Sequence, residues 1–563
     1  MANVNVNREH VRPWVDGLTI GQTLRDMARQ YPDEDAFVFC NPFERMSWSE
    51  FDAEVDRVAR GLLALGFQTG DHFGVWGTNV PAWVLLQFAT ARLGVVLVTI
   101  NPAYRSNELR YALRQSEVRG LALIDAFKSS NFFDMLQETC PELATAPPGE
   151  LHSETFPKLQ WIVTMRGKRL PGALSWEELL YRADEVSHER LDEVIAGLDP
   201  SDAINIQYTS GTTGQPKGAT LSHCNLLLNA YYAGACQRLT HADRICIPVP
   251  LYHCFGCVLG SLCCVVHGSA MVFPAEGFQA GETLAAIEQQ RCTAIYGVPT
   301  MFIAQLEHED YARRDLSSLR TGIMAGSPCP IELMKRVTQE MGASEITIGY
   351  GQTEASPLIT QTRTDDPLEL RVGTVGKPIP GFEAKIVDVE TGQELGDGQP
   401  GELCGRGHGV MLGYYNMPDK TAEAIDGDGW LHTGDLALRE PNGYYRITGR
   451  LRDMIIRGGE NIYPREIEER LYQHPAVEDV QVVGVPDRRF GEEVLAWVKF
   501  KQGQTATEHE LRDFCRESLA HFKVPHYWKF VDGFPTTVTG KIQKFKIREQ
   551  AIEELGLQDI AKI

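Results

Sequence analysis

Tyr208-Thr209-Ser210-Gly211-Thr212-Thr213-Gly214-Gln215-Pro216-Lys217-Gly218 gathers three glycines, four Ser/Thr hydroxyls and a lysine within eleven positions. Glycine lets the backbone adopt positive φ and come close to a ligand, so successive N–H groups turn inward toward an anion while Ser and Thr hydroxyls add donors. Pro216 stiffens the exit and Lys217 contributes a mobile cation. The stretch predicts a phosphate-handling loop after the alternating strand Ala203-Ile-Asn-Ile-Gln207. It lacks the Gly-Lys-Ser/Thr ending of a Walker A loop, and that ending occurs nowhere else in the chain, which removes P-loop chemistry.

Working outward, Phe73–Trp76, Val95–Ile100 and Leu121–Ile124 read as strands alternating with helices over Pro81–Leu93 and Ser106–Arg114. This alternation argues parallel βαβ layering. Nearer the start, Ser47 caps a helix with Phe51, Val55, Val58 and Leu62 on one face, after a helix and a strand at Ala36–Phe39. Trp161–Thr164 is a further strand beyond a proline-rich loop. A second series places strands at Ile245–Val249, Ala270–Phe273 and Ala294–Gly297, with a helix over Thr283–Gln290. Past Arg371 the texture changes to short strands at Ala384–Asp388, Gly401–Cys404 and Tyr444–Ile447 joined by Asp-Gly and Asn-Gly turns, a small β subdomain. After Gly449-Arg450 comes a compact α+β unit with strands Val480–Val485 and Leu495–Phe500 and a helix over Glu508–His521. The expected fold class is α/β: a large layered N-terminal domain (1–451) with two sheets and a β subdomain, and a small mobile α+β C-terminal domain (452–563).

A chain of 563 residues exceeds what one hydrophobic core organises. The formal net charge of −21 opposes nucleic acid and anionic lipid, so an acidic ligand needs a local cradle. The 13 cysteines follow no framework spacing, and no secretory or transit pattern precedes them; reduced thiols in the cytoplasm are expected. Cys254-Phe-Gly-Cys257 has no second pair at metal-site spacing. The apolar run Cys254–Phe273 is broken by Ser261, His267 and Ser269, and predicts a buried helix leading into a strand rather than integral membrane insertion.

Tyr208–Gly218 resembles the phosphate loop of the adenylate-forming superfamily, which holds acyl- and aryl-CoA synthetases, nonribosomal adenylation domains and luciferases. Four further stretches match in family order: Ala325-Gly326-Ser327-Pro328, Tyr350-Gly351-Gln352-Thr353-Glu354, Trp430-Leu-His-Thr-Gly-Asp435 with Gly449-Arg450, and Pro535-Thr-Thr-Val-Thr-Gly-Lys541. The resemblance implies that Thr209, Ser210, Gly211, Thr212, Thr213, Gly214 and Lys217 hold ATP phosphates, while Ala325, Gly326 and Ser327 line the adenine and acyl pockets. Tyr350 with Gly351 and Gln352 would face adenine, Thr353 the α-phosphate, Glu354 Mg²⁺, and Asp435 and Arg450 the ribose. It makes Lys541 the mobile lysine that reaches carboxylate and α-phosphate. Leu451–Pro464 resembles the family's hinge and following loop, with Arg452 where the family more often carries Asp or Lys, and Gly458-Gly459 beside the pantetheine arm of CoA.

Asn101-Pro-Ala-Tyr104, Pro250-Leu-Tyr-His-Cys-Phe-Gly256 and Met454–Pro464 look most like medium-chain fatty acyl-CoA ligases of the acyl-CoA synthetase family member 2 type. This places His253, with Gly326, Val298 and Gly349, along the acyl tunnel, and adds His253 to the catalytic set of Lys541, Glu354 and Thr353. Small residues there leave depth for a medium straight chain. The implied reaction consumes a fatty acid, ATP and CoA with Mg²⁺. Nucleic acid is not a partner, and a homodimer is compatible. The animal relatives are mitochondrial; without their targeting segment the chain reads as a cytoplasmic, bacterial relative. A carrier-loading adenylation enzyme and a non-catalytic acyl-adenylate sensor remain as alternatives, with luciferase-like oxidation ranked below them because nothing in the sequence asks for oxygen chemistry.

Overall fold

The computed structural model describes residues 12–209, 216–327, 329–458, 460–536 and 542–560. Two large sheets form the body. The first runs, neighbour to neighbour, Gly413–Tyr414, Lys217–Ser222, Ala203–Thr209, Val96–Ile100, His72–Trp76, Gly120–Leu123, Trp161–Thr164 and Leu174–Ser175. The second runs Lys377–Pro378, Leu358–Gln361, Glu345–Gly351, Thr321–Met324, Ala294–Gly297, Arg244–Cys246, Ala270–Phe273, Asp35–Cys40 and Phe43–Ser47. The central pairings of both are parallel, as the βαβ alternation requires.

Helix Pro81–Leu93 begins on its proline and ends at Gly94 in the left-handed conformation (φ 68°). It is buried from Ala82 to Leu93 and shares one continuous apolar cluster with both sheets, so it is an interior layer. The run from Cys254 does the same: a wide helical segment, Phe255–Leu262, continues as Cys263–His267 and feeds strand Ala270–Phe273. Gln87 Nε2 donates to the Cys257 carbonyl (2.7 Å) and Ser261 Oγ to Gln87 Oε1 (2.7 Å), stapling the two buried helices together. No helix among the described residues is long and apolar enough to cross a membrane. Ser47 caps Trp48–Ala64 through a reciprocal pair with Glu50. Helices Ala280–Gln290, Pro299–Leu306 and Ile331–Glu340 cover the outer face of the second sheet.

Phe382–Val387, Gly401–Gly407, Leu431–Arg439 and Tyr445–Arg450 form an antiparallel sheet around Ile386, Leu403, Ala437 and Tyr445, the expected β subdomain. In the C-terminal unit, Val477–Asp487 and Gly491–Phe500 are buried on both faces: Val480, Val482, Val494, Ala496 and Val498 face helices Pro464–Tyr472 and Glu508–Arg516. Val483, Val485, Leu495 and Trp497 face helix Lys544–Glu554.

Three elements differ from expectation. The strand placed at Ile245–Val249 spans Arg244–Cys246, because Pro248 and Pro250 offer no N–H to a ladder. The helix expected to reach His521 stops at Arg516; Leu519 turns toward the core and the chain runs on to Tyr527–Phe530, which pairs in parallel with Gly491–Phe500. Phe43–Ser47 is an additional edge strand whose charged residues Glu44 and Arg45 masked it in the sequence.

Candidate active site

The phosphate stretch is flanked by two antiparallel strands. Ala203–Thr209 pairs antiparallel with Lys217–Ser222, setting Tyr208 opposite Gly218 and Thr209 opposite Lys217. Ser210, Gly211, Thr212, Thr213 and Gly214 lie outside the described residues. The exit of the loop is tied down where Tyr111 Oη donates to the Pro216 carbonyl (3.0 Å). Lys217, expected to be mobile, instead lies with its ammonium 4.2 Å from the centre of the Tyr414 ring, since strand Gly413–Tyr414 pairs with Lys217–Ser222 on the hairpin's outer side.

Tyr414 also organises the acidic centre. Glu345–Gly351 ends at a short turn, Thr353–Ala355, that buries Glu354. Tyr414 Oη donates to Glu354 Oε1 (2.7 Å), Thr209 Oγ1 donates to the same oxygen (3.4 Å), and the Met411 N–H donates to the Glu354 carbonyl (2.9 Å). Burial and the neighbouring Glu354 carboxylate push the Tyr414 phenol well above its ordinary pKa, so it remains a donor. Oε2 accepts nothing from a described residue, which leaves one hard anionic oxygen beside the phosphate loop. A single carboxylate supplemented by substrate phosphates suits Mg²⁺, so the donor set fits that ion. From beneath, Asn229 holds the turn by donating to the Ala355 and Leu358 carbonyls (3.1 and 2.8 Å) and accepting the Leu358 N–H (3.1 Å). At Gly351 a β-carbon would stand 1.8 Å from the Pro357 carbonyl oxygen, so only glycine fits.

Asp435 is the second buried acid. Tyr350 Oη donates to its Oδ2 (2.8 Å) and Arg450 Nε pairs with its Oδ1 (3.2 Å), Asp435 and Arg450 being direct partners across two strands. Burial, then Asp435 itself, raises the Tyr350 phenol far above its usual range. Gly434, at φ 67°, makes the bulge that carries Asp435, and its N–H donates to Glu402 Oε1 (2.9 Å). Tyr350 thus spans from the Thr353–Ala355 turn to Asp435, bringing two motifs 85 residues apart into one cluster.

The parallel register Gly297–Met324–Ile348 aligns three strand ends, so Val298, Ala325 and Gly349 follow side by side at the carboxyl edge, where open α/β sheets bind ligands. Gly326 has φ 85°, and a β-carbon there would lie 3.1 Å from Val298. Gly349 does not join them as expected: its missing side chain points at Leu358 (2.9 Å) and Ile323 (3.6 Å), both buried. Thr353 Oγ1 is 3.8 Å from Cys254 Sγ, whose thiol burial pushes up to about 12. His253 Nδ1 accepts the Phe255 N–H (3.2 Å), so that nitrogen holds the helix entry. Gln352 closes the turn through the Ala355 N–H (2.8 Å), and Ser327 is half-buried beside Cys329.

Gly458 (φ 61°) lies in the turn that follows strand Ile455–Arg457, where its N–H donates to the Phe490 carbonyl (2.7 Å). Gly459 and Lys541 lie outside the described residues. Arg465 Nη2 donates to the Cys329 carbonyl (2.9 Å), joining the C-terminal unit to the strand end that carries Ala325–Ser327. The sequence reading missed Tyr414, Asn229 and Glu402. Gly413-Tyr414 sits in a short strand with no chemistry of its own, and only pairing with the hairpin brings it to Glu354.

Together these features define a two-part α/β protein in which the end of strand Ala203–Thr209 and the buried carboxylates of Glu354 and Asp435 converge. The chain belongs to the AMP-binding enzyme family: the family model matches residues 24–415, and that of the AMP-binding enzyme C-terminal domain matches 466–541. It is 50% identical over 539 residues to the Bacillus subtilis (strain 168) protein named "Putative acyl-CoA synthetase YngI", covering 96% of this chain and 98% of that one. It is 45% identical over 543 residues to the mitochondrial medium-chain acyl-CoA ligase ACSF2 of Danio rerio, covering 96% and 89%. Among solved structures, the anthranilate CoA ligase AuaEII in complex with anthranoyl-AMP superposes with a TM-score of 0.84 at 28% identity over 95% of this chain and 97% of that one.

Proposed function

We propose that the chain is an ATP-dependent, AMP-forming acyl-CoA ligase that activates a medium-chain fatty acid. The observation that carries this reading is the pair of buried acids bridged by one turn: Glu354 held by Tyr414 and Thr209, and Asp435 held by Tyr350 and Arg450. One acid suits a phosphate-bound cation and the other a ribose diol, which is the donor pattern of a nucleoside triphosphate.

In the first half-reaction the fatty carboxylate attacks the α-phosphorus of ATP, the bond to the bridging oxygen breaks, and pyrophosphate leaves. In the second, the CoA thiol attacks the acyl carbonyl and AMP leaves. Mg²⁺ held by Glu354 would neutralise phosphate charge. Thr209, Ser210, Gly211, Thr212, Thr213 and Gly214 cradle the phosphates, with Lys217 fixed beside them. Thr353 donates to the α-phosphate, Tyr350 flanks adenine, and Asp435 accepts the ribose hydroxyls. Lys541 brings a cation to the developing charge. Positioning and electrostatics of this kind suffice for phosphoryl chemistry without a protein nucleophile.

Residues 1–451 would form the catalytic body and 452–563 a rotating domain that exchanges Lys541 for Gly458-Gly459 and CoA. The short turn Leu451–Asp453 between two strands is the place for that pivot. Val298 and Gly326, with His253, are assigned to the acyl tunnel. A cytoplasmic setting rests on the thirteen cysteines, all of them free thiols. Fatty-acid-dependent ATP–pyrophosphate exchange, measured with and without CoA across acids of graded length, tests the reading. Exchange with C6–C12 acids and CoA-dependent AMP release are expected; a carrier-loading enzyme would make the adenylate and leave CoA untouched.

A further inference from the structure

A group of side chains on the β subdomain, adjoining the turn that carries Asp435, has the composition and spacing of a metal centre. Cys404 and His432 are direct cross-strand partners, and Glu402 lies two residues before Cys404, across a bulge in the same pairing. His432 Nδ1 sits 3.5 Å from Cys404 Sγ and 2.9 Å from Glu402 Oε2, and the three ligand atoms lie within 4.8 Å of one another. Tetrahedral zinc with its usual bond lengths to sulfur and nitrogen would separate those two atoms by about 3.5 Å, and nitrogen from oxygen by about 3.3 Å, so the sulfur edge is already correct and the oxygen edge needs a few tenths of an ångström.

The surroundings also suit a bound ion. His432 Nε2 faces Asp426 Oδ2 at 3.7 Å, the arrangement in which a ligating imidazole uses one nitrogen on the metal and offers its other N–H to a carboxylate. Asp426 is itself fixed, its Oδ1 accepting the Asp428 and Trp430 N–H groups (3.0 and 2.9 Å). Glu402 Oε1 is occupied by the Gly434 N–H, leaving Oε2 for the ion. Cys404 is fully buried while His432 and Asp426 are about one third exposed, which provides a way in from solvent. Lys385, the register partner of Cys404 on the opposite strand, directs its ammonium over the Trp430 ring at 4.1 Å.

We propose that Glu402, Cys404 and His432 form a second metal site, distinct from the Mg²⁺ position at Glu354, that takes a borderline divalent cation such as Zn²⁺ or Co²⁺. The donor set of thiol, imidazole and one carboxylate selects against Mg²⁺ and Ca²⁺, which prefer all-oxygen shells. On binding, the Cys404 thiol loses its proton to solvent and the imidazole proton moves from Nδ1 to Nε2, facing Asp426.

The test is titration of the full-length protein with Co²⁺, read by the thiolate-to-cobalt charge-transfer absorption, which is independent of the ligase reaction. One equivalent should produce the band, and Zn²⁺ should displace it. Cys404→Ala should abolish it, Cys224→Ala, at a half-exposed thiol elsewhere, should leave it, and Asp426→Asn should weaken binding roughly 10- to 100-fold with the three ligands intact. Absence of the band in the unaltered protein, or a band that survives Cys404→Ala, would overturn the proposal.

Discussion

Replacing Tyr414 with Phe removes one oxygen from the site and little else. The ring that carries Lys217 at 4.2 Å remains, as does the pairing of strand Gly413–Tyr414, so the hairpin should keep its place. What is lost is the 2.7 Å donor to Glu354 Oε1, leaving Thr209 at 3.4 Å as the one described side chain donating to that carboxylate. A hydrogen bond to a charged group is worth about 1.5–3 kcal/mol, and each ~1.4 kcal/mol is tenfold in rate. Solvent and the phosphates recover part of it, so pyrophosphate exchange should fall roughly 10- to 100-fold with a higher Mg²⁺ midpoint, while thioester formation from supplied acyl-adenylate changes little. Tyr414→Leu should cost more, because Lys217 then loses a cation–π contact worth about 0.5–2 kcal/mol. In a Glu354→Gln background, which on its own raises the Mg²⁺ requirement, Tyr414→Phe should have a much smaller effect, since the charge it serves is gone. Exchange within about twofold of the unaltered enzyme, with an unchanged Mg²⁺ midpoint, would refute the assignment of Tyr414 as the residue that holds Glu354.

Lys541→Ala should slow adenylate formation by ~10²–10³ and spare thioester formation from supplied adenylate, which single-turnover assays of each half-reaction will resolve. Arg452→Pro, in the turn Leu451–Asp453, should do the reverse: it fixes φ at the pivot, so exchange persists while CoA thioester yield drops, and equal retention of both would move the pivot elsewhere. His223 and His408 are both lowered to about 4 by burial, with His223 Nδ1 accepting the Ile20 N–H (3.2 Å). Their folded values lie below the unfolded value of 6.5, so the unfolded chain binds more protons in acid; this stability is complete above pH 6.5 and is lost as pH falls toward 4, by about 3 kcal/mol for each group. Urea midpoints from pH 7.5 to 5 should decline accordingly, and His408→Gln should flatten the slope.

The order and nature of the main elements were legible because their signals are local. Pro81–Leu93 carries proline at its start and glycine just past its end, and Ala270–Phe273, Ala294–Gly297 and Trp161–Thr164 are short apolar runs bounded by turn residues. Phe43–Ser47 escaped notice because an exposed edge strand has no apolar face to announce it, and Arg244–Cys246 came out short because proline acts through its missing donor rather than through hydrophobicity. Among the site residues, Glu354 and Asp435 were legible through the resemblance of Tyr350–Glu354 and Trp430–Asp435 to motifs of the adenylate-forming superfamily.

The sequence by itself determined which chemical groups the protein owns, and roughly on which element each sits, since helix periodicity, strand alternation and turn residues are properties of neighbours in the chain. Tertiary structure alone decided how they meet. Gly349 looked like tunnel lining until strand Leu358–Gln361 folded back and set Leu358 2.9 Å from where its side chain would be. Lys217 became a fixed cation because Gly413–Tyr414, almost 200 residues later, pairs with its strand. Glu354 acquired its donor through that pairing, and Asp435 its link to Tyr350 where two separate sheets meet side chain to side chain. A hydrogen bond depends on distances of tenths of an ångström between groups whose separation along the chain carries no information, and the sheets are what fix those distances.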